Sequence, residues 1–372
     1  MKVSTFFWIL FMFFSRYFFL VIFQIIIFLW CSSVNLQEFS LETPAQILNP
    51  VGMPSVNDGR ARFREIFCKL LPEAPGYQDK PGHCENYLTR LSDERMPAEQ
   101  LRQLPASNIN LRILIVPGLL GECFADTAFP FEKAMERLRP LGYQIEPLIV
   151  SGRSSSDYNA KQIAKAVANL AVGEEDFLIL IGHSKGANDI LHFLVNYPGL
   201  AHRIDAVVSV AGAINGSPIA NQVDDIYSKL GANLPFNECE PGDGGAFRSL
   251  KRPVRLTWLA NNPLPTSVKY YSVVSFTHRD RINRWLTSGY DMLKTIDPRN
   301  DGLLLFSDQV IPGAVILGYV NDDHWEVALP FENNNSMLSK SISKQISYPR
   351  EVLLHAIILF VTENLDSSGS SD

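Results

Sequence analysis

The segment Gly182-His183-Ser184-Lys185-Gly186 places a serine between an apolar run over 177–181 and a stretch of helical spacing from about 185 to 195. A strand that passes straight into a helix here must turn sharply, so the Ser184 hydroxyl is presented at the strand's C-terminal end. Glycines on both sides let strand and helix approach without Cβ clashes. The helix N-terminus also favours negative charge that develops beside it. The five letters alone are a weak signal; the strand before them and the helix after them make it a strong one.

The same alternation continues along the chain. Apolar runs at 111–117, 143–150, 177–181, 204–211, 268–276 and 314–320 predict strands. Helical spacing over 131–138, 159–171, 185–195 and 351–363 predicts helices, the last with Pro349 just ahead of it. Continuous apolar strands suit a mostly parallel central sheet with helices on both faces, an α/β fold. The predicted body runs from 111 to 365, with a polar, disordered tail at 366–372. Two stretches, 214–265 and 277–300, break the rhythm, as lids and binding loops often do. The chain has 372 residues, 46% of them hydrophobic. That is enough for one large domain with insertions. A net charge of −6 without a Lys/Arg cluster offers nucleic acid nothing to bind.

Residues 1–31 are a different material. From Phe6 to Cys31 the clearly polar residues are Ser15, Arg16 and Gln24. Residues 17–30 make about 21 Å of helix, so residues from about Trp8 onward complete a span of the roughly 30 Å hydrocarbon core. Lys2 and Arg16 precede the first acidic residues, Glu38 and Glu42, which puts the body on the extracytoplasmic side. A transmembrane anchor and a cleaved, unusually long signal both stay open. Residues 32–60 read as a linker and 61–110 as a small helical element, with helical spacing at 61–71 and 84–91. Four cysteines follow Cys31. In an oxidising space they allow two disulfides, Cys68–Cys84 as the shortest loop and then Cys123–Cys239; four buried thiols are the alternative. No spacing resembles a zinc site.

The serine turn, together with the loop Ile115-Val116-Pro117-Gly118-Leu119-Leu120-Gly121, resembles the α/β-hydrolase superfamily, and more narrowly bacterial lipases and esterases. The resemblance covers roughly 111–326. It implies Ser184 as nucleophile, with the backbone N–H groups of Lys185 and Leu119 as oxyanion donors. Pro117 stands where the lipase loop usually has histidine, which leaves the backbone donor in place. In this fold the order is serine, acid, histidine. That order and the position after the last strand select His324 as base, with His278 as competitor. Asp301, in Asn300-Asp301-Gly302-Leu303-Leu304, resembles the lipase acid segment; Asp280 is the competitor, and a D-G turn is the plain alternative. Asp322 and Asp323 read as a solvated acidic loop rather than a cation site. The excursion at 214–265, with Ile226, Tyr227, Leu230, Leu234, Pro235 and Phe236, reads either as a lid or as an insertion packed on the core. Trp325 reads as a pocket wall or as a packed aromatic.

The implied activity is hydrolysis of a carboxylic ester, lipidic or another acyl ester, without cofactor or metal. An acyltransferase on the same residues is the first alternative. A non-catalytic, membrane-tethered binding protein is the second.

Overall fold

The computed structural model describes residues 47, 51–74, 77, 84–96, 110–124, 129–171, 173, 176–223, 241–330 and 348–369. Among them, eight strands form one sheet: β1 (Asn57–Asp58), β2 (Leu88–Thr89), β3 (Leu111–Val116), β4 (Gln144–Pro147), β5 (Phe177–His183), β6 (Ala206–Val210), β7 (Lys269–Ser275) and β8 (Val315–Val320). The spatial order is β1-β8-β7-β6-β5-β3-β4, and every neighbouring pair in it is parallel. Only β2 runs antiparallel, on β8. The longer helices are α1 (Arg60–Leu70), α2 (Glu132–Leu138), α3 (Ser156–Asn169), α4 (Lys185–Asn196), α5 (Arg252–Asn261), α6 (Thr287–Lys294) and α7 (Arg350–Gly369).

Side chains alternate across each strand, so one apolar run feeds two cores. Ile113, Ile115, Ile179, Ile181, Val208 and Val210 face α1, α2 and α7. Leu114, Val116, Leu178, Leu180 and Val207 face α3 and α4. This is why these strands read as continuous rather than alternating hydrophobics. The strand order reverses between β3 and β5. A crevice opens at the C-terminal ends of strands at such a point, and the 117–121 loop and Ser184 both lie there.

The N-terminal stretches depart from expectation. The helix predicted at 61–71 forms as α1, but it is no separate element. Phe63, Ile66, Phe67 and Leu70 are buried in the same cluster as the sheet. Residues 57–58 of the expected linker pair in parallel with β8. The helix expected at 84–91 is a single 3-10 turn, Cys84–Asn86, followed by β2. The edge of β8 offers unpaired backbone groups, and the Arg64 guanidinium donates to the Leu88 and Thr89 carbonyls at 2.9 Å each. Those bonds outweigh a weak local helical spacing. Cys68 and Cys84 form a disulfide, with Cα atoms 5.4 Å apart, joining α1 to this turn. Cys123 is also disulfide-bonded, while Cys239 lies outside the described residues. The tail expected from 366 is helical as far as Gly369.

The part of the 214–265 insertion described from 241 onward packs on the core. Leu259 of α5 is fully buried, and Arg255 donates to the Ile214 carbonyl at 3.0 Å and to His192 Nε2 at 2.7 Å. Ile226, Tyr227, Leu230, Leu234, Pro235 and Phe236 lie outside the described residues, as does the span expected at 1–31. Among the described residues, no helix is long and apolar enough to cross a membrane.

Candidate active site

Ser184 follows β5 and precedes α4, with φ 55° and ψ −124°. A non-glycine residue in that region costs about 1–3 kcal/mol and persists only where its surroundings over-determine it. Here they do. The Ser184 N–H donates to the Val210 carbonyl at 3.2 Å, and its carbonyl accepts from the Ala213 N–H at 3.1 Å. A Cβ on Gly182 would stand 2.5 Å from the Ala187 backbone, and one on Gly186 would fall against the Val116 and Pro117 carbonyl oxygens. Close approach therefore demands both glycines. The Lys185 side chain is buried in an ion pair with Asp189, at 2.7 and 2.9 Å, one turn along α4. Only its backbone N–H is left for the site.

His324 lies in the loop after β8, and Asp301 in the loop after α6. His324 Nε2 stands 2.8 Å from Ser184 Oγ, and His324 Nδ1 stands 2.7 Å from Asp301 Oδ2. Asp301 is fully buried, and its Oδ1 accepts the Leu303 and Leu304 N–H groups at 2.9 and 2.7 Å. An ionised carboxylate only accepts. It therefore holds the proton on Nδ1 and leaves the Nε2 lone pair to the serine hydroxyl. A backbone bond of 3.0 Å from the His324 N–H to the Asp301 carbonyl joins the two loops directly. The competitors His278 and Asp280 sit in and beside the turn Arg279–Arg281, outside this constellation.

The 117–121 loop runs against the serine. A Cβ on Gly118 would lie 2.7 Å from Ser184 Cβ and 3.2 Å from its Oγ. Leu120 has φ 59°, and its N–H donates to the Gly152 carbonyl at 3.1 Å. The Glu122 carboxylate accepts the Gly152 N–H and so pins the loop from its other end. Among the described residues, neither the Leu119 N–H nor the Lys185 N–H has an acceptor within the chain. Half-buried Leu119 packs with Ala213, Leu250 and Leu304, and half-buried Trp325 packs with Ile282, Leu286 and Tyr290. Leu303 belongs to both clusters.

Two supports escaped the sequence reading. The acidic loop expected to be solvated is buried. Asp323 Oδ1 accepts the Trp325 and Glu326 N–H groups at 3.0 Å each, and its Oδ2 accepts the Asn283 N–H at 2.8 Å. Asp322 Oδ1 accepts the Asp323 N–H. Their carboxylates cap the turn that carries His324. Sequence shows the charges but not their burial. Among the described residues, no group of side chains fits a metal ion.

The second support is His183, the variable residue of the serine turn. Its Nε2 donates to the His324 carbonyl at 3.0 Å, with the two rings 5.1 Å apart. Burial, and then the neighbouring His324, push its pKa down to about 3. The folded value lies below the ordinary 6.5, so between those limits the unfolded chain binds a proton that the folded chain refuses. Stability is whole above 6.5 and falls as the pH drops toward 3, on the order of 1.4 kcal/mol per pH unit at most. We expect His183→Gln, which keeps an N–H donor, to show a shallower acid slope in pH-dependent thermal unfolding. Identical slopes would refute this role.

The metagenomic carboxyl esterase MGS0156, of known crystal structure, is 40% identical to this chain. The match covers 87% of this chain and 97% of the esterase, with a TM-score of 0.79. A more distant likeness is the mature Bacillus licheniformis lipase BlEst2, at 21% identity over 62% of this chain and 89% of the lipase, TM-score 0.47. No protein-family model matches the chain, and no curated protein matches it. Identity at that level, spanning nearly the whole of MGS0156, accompanies a mostly parallel sheet with a strained serine where strand turns into helix; the chain belongs to the α/β-hydrolase superfamily, among its esterase- and lipase-like members.

Proposed function

We propose that the chain hydrolyses carboxylic esters through an acyl-enzyme on Ser184, with His324 as base and Asp301 as its supporting acid. The observation that carries this is the unbroken chain of bonds from hydroxyl to imidazole to carboxylate, at 2.8 and 2.7 Å. His324 Nε2 takes the hydroxyl proton as Ser184 Oγ attacks the ester carbonyl carbon. The tetrahedral oxygen gains charge and is held by the Leu119 and Lys185 N–H groups. Preorganised donors of this kind are each worth about 2.7–4 kcal/mol of barrier. His324 returns the proton to the leaving alcohol. Water then adds to the acyl-enzyme with the same proton transfers, releasing the acid and restoring Ser184.

The apolar surface of Leu119, Leu303 and Trp325 supports an acyl or lipidic substrate. An alcohol in place of water would make the same intermediate an acyltransferase. Placement outside the cytoplasm, by the apolar first 31 residues, is part of the proposal. The Cys68–Cys84 disulfide supports it, since such bonds persist in oxidising compartments.

The test is covalent trapping. A fluorophosphonate should add to wild type at one site, and peptide mass mapping should find the adduct on Ser184. Absence of label would overturn the proposal and favour a binding protein on a hydrolase fold, and equal label on Ser184→Ala would overturn it by placing the reactive group elsewhere.

A further inference from the structure

Gln309 closes the short turn Phe306–Gln309, eight residues past Asp301, and is completely buried. Its amide is fully committed. Oε1 accepts the Ser275 N–H at 2.7 Å, and Nε2 donates to the Ser275 carbonyl at 2.8 Å. The second Nε2 hydrogen goes to Asp301 Oδ2 at 3.2 Å, the oxygen that also accepts His324 Nδ1–H. Ser275 is the last residue of β7, and its hydroxyl donates to the Asp322 carbonyl at 2.6 Å, just ahead of His324. One residue at the end of a central strand thus grips the acid's loop through Gln309 and the base's loop through its own side chain.

We propose that Gln309 is a positioning residue for the reaction, holding the Asp301 carboxylate in one rotamer, facing the imidazole, with Ser275 as the anchor. This rests on the reading that Ser184, His324 and Asp301 are the reacting set. A carboxylate offers about four lone-pair directions. Leu303 N–H, Leu304 N–H, His324 Nδ1–H and Gln309 Nε2–H supply four donors. A carboxylate so filled cannot swing away from the imidazole. Without the Gln309 donor, Oδ2 can turn from the imidazole, and the imidazolium formed in the reaction loses part of its support. The other titratable groups around His324 make no bond to Gln309 among the described residues. They are His183 at 5.1 Å between rings, Asp322 with Arg281 at 3.7 Å, and Asp323 on its three backbone N–H groups.

The experiment compares wild type with Gln309→Met and Gln309→Glu in the full chain. It measures kcat and KM for a p-nitrophenyl ester from mildly acidic to alkaline pH, together with thermal unfolding. In Gln309→Met, kcat should fall by about tenfold or more with KM within about twofold, as expected for a group that acts on the reacting set rather than on substrate binding. The acid limb of kcat/KM should move down by about half a pH unit. Gln309→Glu keeps the shape and an acceptor for Ser275, but sets a second carboxyl against Asp301; the added negative charge should move its acid limb up instead. If Gln309→Met does not fold, Gln309→Glu decides alone. Lowered unfolding temperatures with kcat and the acid limb unchanged would overturn the proposal and leave Gln309 as packing. Failure of wild type to take a fluorophosphonate would instead remove the underlying reading, and the two failures are distinguishable.

Discussion

Replacing Ser184 with alanine should lower kcat by about 10⁶-fold, as loss of the attacking group does where the members of such a set act together. The reason is local. The Ser184 hydroxyl stands within bonding distance of His324 Nε2 and lies beside Gly118, in the loop whose Leu119 N–H is the proposed oxyanion donor. What survives should come from the Leu119 and Lys185 donors and from substrate binding, about 10³–10⁴ over water. A second substitution, Asp301→Asn on top of Ser184→Ala, should then cost almost nothing more. Ser184→Gly should be equally inactive yet more stable to heat, because glycine adopts φ 55° without the strain that a side chain carries. Hydrolysis of a p-nitrophenyl ester by the purified variants, beside their unfolding curves, measures both effects. A Ser184→Ala protein that keeps more than a small percentage of wild-type kcat would end the acyl-enzyme account.

Asp301→Asn should lower kcat by about 10⁴-fold while barely altering shape. Asp301 Oδ1 accepts two backbone N–H groups, from Leu303 and Leu304. An asparagine at this position must turn its carbonyl oxygen toward them. Its amide nitrogen then occupies the place of Oδ2, facing the Nδ1–H of His324 and the Nε2–H of Gln309. Donor meets donor, so His324 relieves the clash by moving its proton to Nε2. That nitrogen can no longer take the proton of Ser184. The loss should therefore appear in kcat rather than KM. A loss of less than about tenfold would mean that Asp301 is only a turn residue.

The serine turn was legible because everything that makes it is local. An apolar strand, two glycines and a helix start lie within twenty residues of one another. Asp301 and His324 were less so. They stand 23 residues apart from each other, and His324 is 140 residues from Ser184. Only chain order and resemblance to esterases and lipases selected them, and nothing in their own neighbourhoods excluded Asp280 or His278. The long strands could be read from apolar runs, and their burial on both faces follows from those runs. Strands β1 and β2, two residues each, carry no periodicity at all. They exist because β8 presents an edge to them. Nothing in the sequence showed how Gln309, His183 and Asp323 would be used, since an amide, an imidazole or a carboxylate has the same letter whether solvated or buried.

Local chemistry in the chain determined that a serine would be presented at the end of a buried strand, because strand, turn and helix preferences act over a few residues. Which histidine and which carboxylate meet that serine was decided by the sheet order, which brings the ends of β5, β7 and β8 to one side. So was the fate of each polar group around them, because burial removes water as the competing partner and leaves only the bonds that distant segments happen to supply.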